Sequence, residues 1–80
     1  MQNILANTAV QAAAAYARLA VTELSDLCVL HSDGLFEIRF DTDWMRYDCY
    51  VDDADGEVLG FDCRPIPEQQ MLGEIVRLSA

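Results

Sequence analysis

Residues 35–63, LFEIRFDTDWMRYDCYVDDADGEVLGFDC, alternate apolar and polar side chains with a period of two, the pattern of strands that bury one face. In residues 35–40, Phe36, Ile38 and Phe40 point one way and Glu37 and Arg39 the other. In residues 45–52, Met45, Tyr47, Cys49 and Val51 oppose Arg46, Asp48 and Tyr50. In residues 57–63, Leu59, Phe61 and Cys63 share a side. Asp41-Thr42-Asp43 separates the first two runs, and Asp52-Asp53-Ala54-Asp55-Gly56 separates the last two, with Gly56 available for positive φ. Upstream, residues 27–31 form a short apolar run closed by the turn Ser32-Asp33-Gly34. Connections this short favour antiparallel neighbours. Four strands, at about 27–31, 35–40, 45–52 and 57–63, are therefore expected to form a meander.

Helical patterns flank the strands. Thr8 followed by Gln11 reads as a capping box, with Asn3 or Asn7 as earlier starts. Over about 8–25 the helical wheel gathers Gln11, Arg18, Thr22 and Ser25 on one side and Ala9, Ala13, Tyr16, Ala17, Ala20 and Leu24 on the other. That stripe is mostly alanine, so the helix axis can approach a sheet closely. After Pro65-Ile66-Pro67, Met71, Leu72, Ile75, Val76 and Leu78 form a second stripe, predicting a short terminal helix over about 67–79. It is expected to cap the second sheet face, or to dock on a partner or a second copy. The fold class is α+β in a single domain, 1–80: an N-terminal helix on a four-stranded antiparallel meander, plus the terminal helix.

Eighty residues make a small domain, which needs a core dense in apolar side chains, and 52% of the residues are hydrophobic. The chain has no lysine, five arginines, fourteen acids and a net charge of −9. That sign argues against direct binding of nucleic acid or of an anionic membrane. Residues 23–62 hold twelve of the acids against Arg39 and Arg46. The apolar stretch 12–21 is interrupted by Arg18 and is far short of the roughly 20 residues a spanning helix needs. No basic start or signal peptide precedes it, so a cytoplasmic address is expected, or an exported one if a leader belongs to the chain. Cys28, Cys49 and Cys63 have spacings that match no zinc pattern, and they read as reduced, buried, small hydrophobes. In the expected hairpin, Cys49 and Cys63 share a face on a diagonal, too far apart for an unstrained disulfide.

The order helix, then four strands with a D-x-x-x-G turn before the last, resembles the PepSY domain. Phe36-Glu37-Ile38-Arg39-Phe40 looks like that family's aromatic-E-V-x-F strand. Tyr47-Asp48-Cys49-Tyr50-Val51-Asp52-Asp53-Ala54-Asp55-Gly56-Glu57-Val58-Leu59 looks like its Y-x-x-Y-x-D-x-x-x-G-E-V-L hairpin. The likeness covers about residues 8–63. It implies a helix packed on an antiparallel sheet, no catalysis, and a protein-binding or inhibitory role of the kind seen in the pro-regions of some secreted peptidases. The chain departs from the family in lacking a signal and in continuing through residues 67–80.

The acid-rich turn Asp52, Asp53, Asp55 and Glu57 does not fit a calcium loop. Counting back from Gly56 puts Val51 where the first ligand belongs, and no helices flank the turn. His31 has Ser32 and Asp33 as sequence neighbours, which cannot converge as a triad, and it reads as an exposed residue at a strand end. Asp48 and Asp52 near Cys49 disfavour a thiolate nucleophile. No catalytic residue, metal or cofactor is assigned. The expressive surface is the outward strand face, Trp44, Arg46, Asp48 and Tyr50, with Glu37 and Arg39 alongside. Trp, Tyr and Arg are the residue types that dominate binding hot spots.

The turns should gather acids at both ends of the sheet. Asp33 is expected with Asp52, Asp53 and Asp55 at one end, and Asp41 and Asp43 near Asp26 and Asp62 at the other. These acids serve solubility, or steer the domain onto a basic surface. The expectation is a non-enzymatic acidic module that binds or inhibits another protein through Trp44, Arg46, Asp48, Tyr50, Asp52, Asp53, Asp55, Asp41 and Asp43, with a homodimer through the terminal helix as a further option. The alternative is an anti-defence inhibitor of phage type, anti-CRISPR-like, whose acidic surface mimics nucleic acid and blocks a nuclease.

Overall fold

The computed structural model describes residues 3–66. The terminal helix expected over 67–79, and the dimer contact assigned to it, lie outside the described residues. Those that are described form an α+β fold. One helix, α1 (Ala6–Tyr16), and a single 3-10 turn (Val21–Glu23) precede four strands: β1 (Ser25–Ser32), β2 (Leu35–Asp41), β3 (Met45–Asp52) and β4 (Val58–Pro65). The strands are antiparallel in the order β1-β2-β3-β4, the expected meander.

Alternation sets which face is buried. Phe36, Ile38, Phe40, Cys49 and Val51 point inward and are buried, and α1 covers them with Ala9, Val10 and Ala13. The fully buried Ala9 and Ala13 bring the helix down over β2, β3 and β4. Around this centre, Phe40 stacks on Tyr47 with centroids 5.0 Å apart, and Phe61 tilts against both Tyr47 and Tyr16. Tyr16 is nonetheless an exposed residue at the edge of the helix, as is Ala20 beyond it, so the buried stripe is shorter than the wheel suggests.

The helix departs from expectation at both ends. It begins before Thr8, with Leu5 at the cap position and no side-chain cap. The chain is instead anchored just upstream, where the Ile4 N–H donates to the Asp53 carbonyl at 2.7 Å. It ends at Tyr16 rather than near residue 25 because Arg18 adopts φ 63. There the Arg18 N–H bonds to the Ala15 carbonyl and the Leu19 N–H to the Ala14 carbonyl, closing the helix in a Schellman arrangement.

Two irregularities shape the sheet. Asp26, at φ 51, sits in a bulge that lets β1 start at Ser25, two residues earlier than expected. Across β3 and β4, Tyr50 pairs with Gly60 but Val51 pairs with Val58, so Leu59 is an extra residue. The bulge turns Leu59 away from the core side assigned to it and leaves it about half exposed, while Val58 packs against the core instead. The β1–β2 hairpin closes through Asp33 (φ 53) and Gly34 (φ 81), the two positive-φ positions of a type I′ turn.

Candidate functional site: the outer sheet face

Among the described residues α1 covers one face of the sheet, and the other face presents a set of cross-strand rows. Arg39 stands opposite Asp48, and Asp48 opposite Asp62. Two carboxylates directly opposite each other repel, and Arg64 resolves this by donating from Nη1 to Asp48 at 2.9 Å and to Asp62 at 3.0 Å. Arg39 Nε donates to the other oxygen of Asp48 at 2.7 Å. One row along, Arg46 Nε donates to Asp41 at 3.1 Å, and Asp41 also accepts at its main-chain carbonyl from the Ser25 hydroxyl. The centre of the face is therefore an ion-pair ladder that neutralises much of its own charge. Desolvation works against ionised Asp48, but the hydrogen bonds and charges of Arg39 and Arg64 outweigh it and hold the carboxyl below its ordinary range.

Towards the β1–β2 turn the face becomes apolar. Leu30, Ser32, Asp33, Leu35, Glu37 and Tyr50 line an open trough of about 230 Å³. The Tyr50 hydroxyl reaches Glu37 at 3.5 Å. Its ring lies over Gly60, where an added Cβ would approach the ring at 3.1 Å, so a side chain at position 60 would push Tyr50 aside. At the opposite end Trp44 precedes β3, is 72% exposed, and takes the Ile66 N–H on its carbonyl. Beside it Ser25, Asp26, Asp41, Thr42, Asp43, Arg46 and Ile66 line a second hollow of about 350 Å³.

Arg46, Asp48 and Tyr50 thus share the outer face as the alternation requires, with Trp44 at its rim. The acids divide. Asp43 and Asp55 are exposed, and Asp52 is half-buried. Asp52 and Asp55 accept the backbone N–H groups of Ala54 and Glu57, fixing the turn. Asp41 and Asp53 are buried, which departs from a rim of solvated acids. Asp53 is held by His31 and Asn3. Asp62 also departs from its expected place at the sheet end, because β4 runs on to Pro65 and sets Asp62 inside the ladder.

The cysteines are all free. Cys49 is buried as expected, and burial pushes its thiol up to about 11. Cys28 and Cys63 are exposed, contrary to the reading of all three as core residues. Both lie on edge strands, Cys28 on β1 and Cys63 on β4, where it stands opposite Tyr47. The contact sequence reasoning missed is His31–Asp53. Its signal was only topological, since the first and third turns fall at one end of the meander.

Among the described residues no helix is long and apolar enough to cross a membrane. Compared with family models, with characterised proteins and with solved structures, the chain matches none of them.

Proposed function

We propose that this chain is a non-enzymatic, acidic protein-interaction module that binds, and in binding inhibits, a partner protein through the outer face of its sheet. The observation that carries the reading is the makeup of that face. Exposed Trp44 and Tyr50 stand at its two ends, with the self-neutralised ladder of Arg39, Asp48, Asp62 and Arg64 between them. Aromatic anchors around satisfied polar groups suit a protein surface, because the polar groups can be covered without being left unpaired. The resemblance to PepSY supports the same reading, since that family binds proteins and does not catalyse.

The rival reading, a nucleic-acid mimic, needs carboxylates that face outward and unpaired. Asp41, Asp48 and Asp62 are engaged by arginines and Asp53 by His31, and the exposed Asp33, Asp43 and Asp55 are divided between the two ends of the sheet rather than joined in one acidic surface, which favours the aromatic-centred interface. The test is affinity capture from the source cell with the wild-type chain and with Trp44→Ala and Tyr50→Ala, at low and high salt. A protein retained by the wild type at high salt and lost by both variants is expected. Retention that ignores both substitutions, or that collapses steeply with salt as a phosphate-like surface requires, overturns the proposal.

A further inference from the structure

Ile66 leaves the sheet on its outer side. Along β4, Phe61 and Cys63 stand opposite the inward Cys49 and Tyr47, and Asp62 and Arg64 opposite the outward Asp48 and Arg46. Pro65 pairs with Met45, on the inward side of β3. The Ile66 N–H then donates to the Trp44 carbonyl at 3.1 Å, which carries the same register one residue further. By alternation Ile66 falls on the outer side with Asp62 and Arg64. It is buried although it follows the exposed Arg64 and Pro65, and it lines the hollow beside Asp41 and Arg46, both members of the outer rows. The chain thus runs into residues 67–80 from the face that α1 does not cover.

We infer that residues 67–79 turn back as a helix along β3 and cover the outer face from the Trp44 end to the trough at Leu30 and Tyr50. The sequence of the segment suits that path. Pro67 fits a first helical turn. On a helical wheel Glu68, Met71, Leu72, Ile75 and Leu78 share one side, and Gln70, Gly73 and Arg77 fall on the other. Glu68 opens that stripe at the end of the face where Arg46 and Arg64 stand opposite each other, so its charge complements theirs. From Arg46 to Tyr50 the strand advances about 13 Å, and from Glu68 to Leu78 a helix advances about 15 Å. Met71 and Leu72 then lie over the ladder, whose carboxylates already hold their arginines and can be covered without loss. Ile75 and Leu78 reach the trough lined by Leu30, Leu35 and Tyr50. Pro67 alone separates the buried Ile66 from Glu68, and so short a tether favours this segment over any free occupant. The contact is autoinhibitory, because a partner that uses the outer face must first displace the helix. That consequence rests on the partner reading above, whereas the contact itself does not.

Paramagnetic relaxation measured by nuclear magnetic resonance on the full chain is the test, with a nitroxide on Arg77→Cys in a Cys28→Ser, Cys63→Ser background. The amide signals of Leu30, Leu35 and Tyr50 should be broadened away, while those of Ala12 and Ala15 on α1, across the sheet, keep most of their intensity. Dilution with unlabelled chain should leave this pattern unchanged. Adding Ile75→Asp should restore the outer-face signals, and in the affinity capture Ile75→Asp alone should raise the amount of partner retained severalfold. The relaxation measurement involves no partner, so the two readings fail separately. The expected broadening together with capture that ignores Ile75→Asp upholds the contact and removes the partner from this face. Absent or uniformly weak broadening, broadening centred on α1, broadening that fades on dilution as contact between copies requires, or broadening that survives Ile75→Asp overturns the proposal.

Discussion

His31 and Asp53, twenty-two residues apart in the chain, meet at 2.8 Å between Nε2 and Oδ2. The ionised carboxylate can only accept, so Nε2 carries the proton. The His31 ring is held from the other side by stacking on Phe36, with centroids 4.1 Å apart. Around the same aspartate, Asn3 donates to the carboxylate, Ile4 donates to its carbonyl, and its own N–H donates to the Gly34 carbonyl. One residue thus fastens the N-terminal segment, β1 and two turns at a single end of the sheet.

Asp53→Ala should therefore destabilise the chain by about 2 kcal/mol, the typical cost of stripping a largely buried acceptor from its donors. For a domain of this size that lowers the melting temperature by about 10 °C. Asp53→Asn retains a carbonyl acceptor and should lose roughly half as much. Thermal melts monitored by circular dichroism read both, and an Asp53→Ala melting curve that overlays the wild type would remove the clasp from the account.

Asp48 makes the acid stability of the sheet depend on its two arginines. Its carboxyl is depressed in the folded chain relative to the ordinary 3.8. The stability it contributes is thus fully present above that value and is lost as pH falls through the lower folded-state value. Asp48→Asn removes this proton linkage. The difference in stability between wild type and variant should shrink as pH drops below about 3.8. Urea midpoints measured in mildly acidic and strongly acidic buffers check it, and a constant difference across that window would be the contrary outcome.

The three thiols should separate by reactivity. Thiolate is the reacting form, and burial raises Cys49 from 9.0 to about 11 besides walling it off from reagent. Cys28 and Cys63 are exposed. Maleimide at neutral pH should label two sites in the folded chain and the third only after denaturation, with the sites identified by peptide mass spectrometry. Because the folded value is raised, the neutral Cys49 thiol favours the folded state below about 9, and that advantage disappears as pH climbs towards 11. Alkaline unfolding should accordingly shift to higher pH in Cys49→Ala once its lower overall stability is matched with denaturant.

The sheet was legible because each signal in it is local. A period of two assigns Phe36, Ile38, Phe40, Cys49 and Val51 to one face, and Asp33-Gly34 supplies the turn that sets the register. What escaped the pattern was backbone geometry without a marker residue. Leu59 is apolar at the right spacing for the core, and only the one-residue bulge shows that Val58 takes the inward place. The outer rows were legible as faces but not as pairs. Alternation places Arg39 and Asp48 on one side, whereas the arrival of Arg64 between two opposed aspartates depends on how far β4 extends. Asp41 and Asp53 read as solvated turn acids because composition gives no sign of the donors that bury them.

The end of α1 is the sharpest case of this kind and leads to a direct test. The alanine-rich periodicity continues past Tyr16, so nothing in the side-chain pattern stops the helix. The stop lies in Arg18, which holds φ 63 without being glycine. A left-handed conformation costs a residue with a Cβ about 1 kcal/mol or more, and here the two Schellman hydrogen bonds to Ala14 and Ala15 hold it in place. Arg18→Gly removes the steric cost at the position where helices most often place glycine, while giving the unfolded chain more freedom to lose. The net effect should be a gain of roughly 0.5 kcal/mol, read as a melting temperature higher by about 2–4 °C. Arg18→Val should do the reverse, because a β-branched side chain resists positive φ. If valine left the melting temperature unchanged, residue 18 would not be the point at which the helix is turned back onto the sheet.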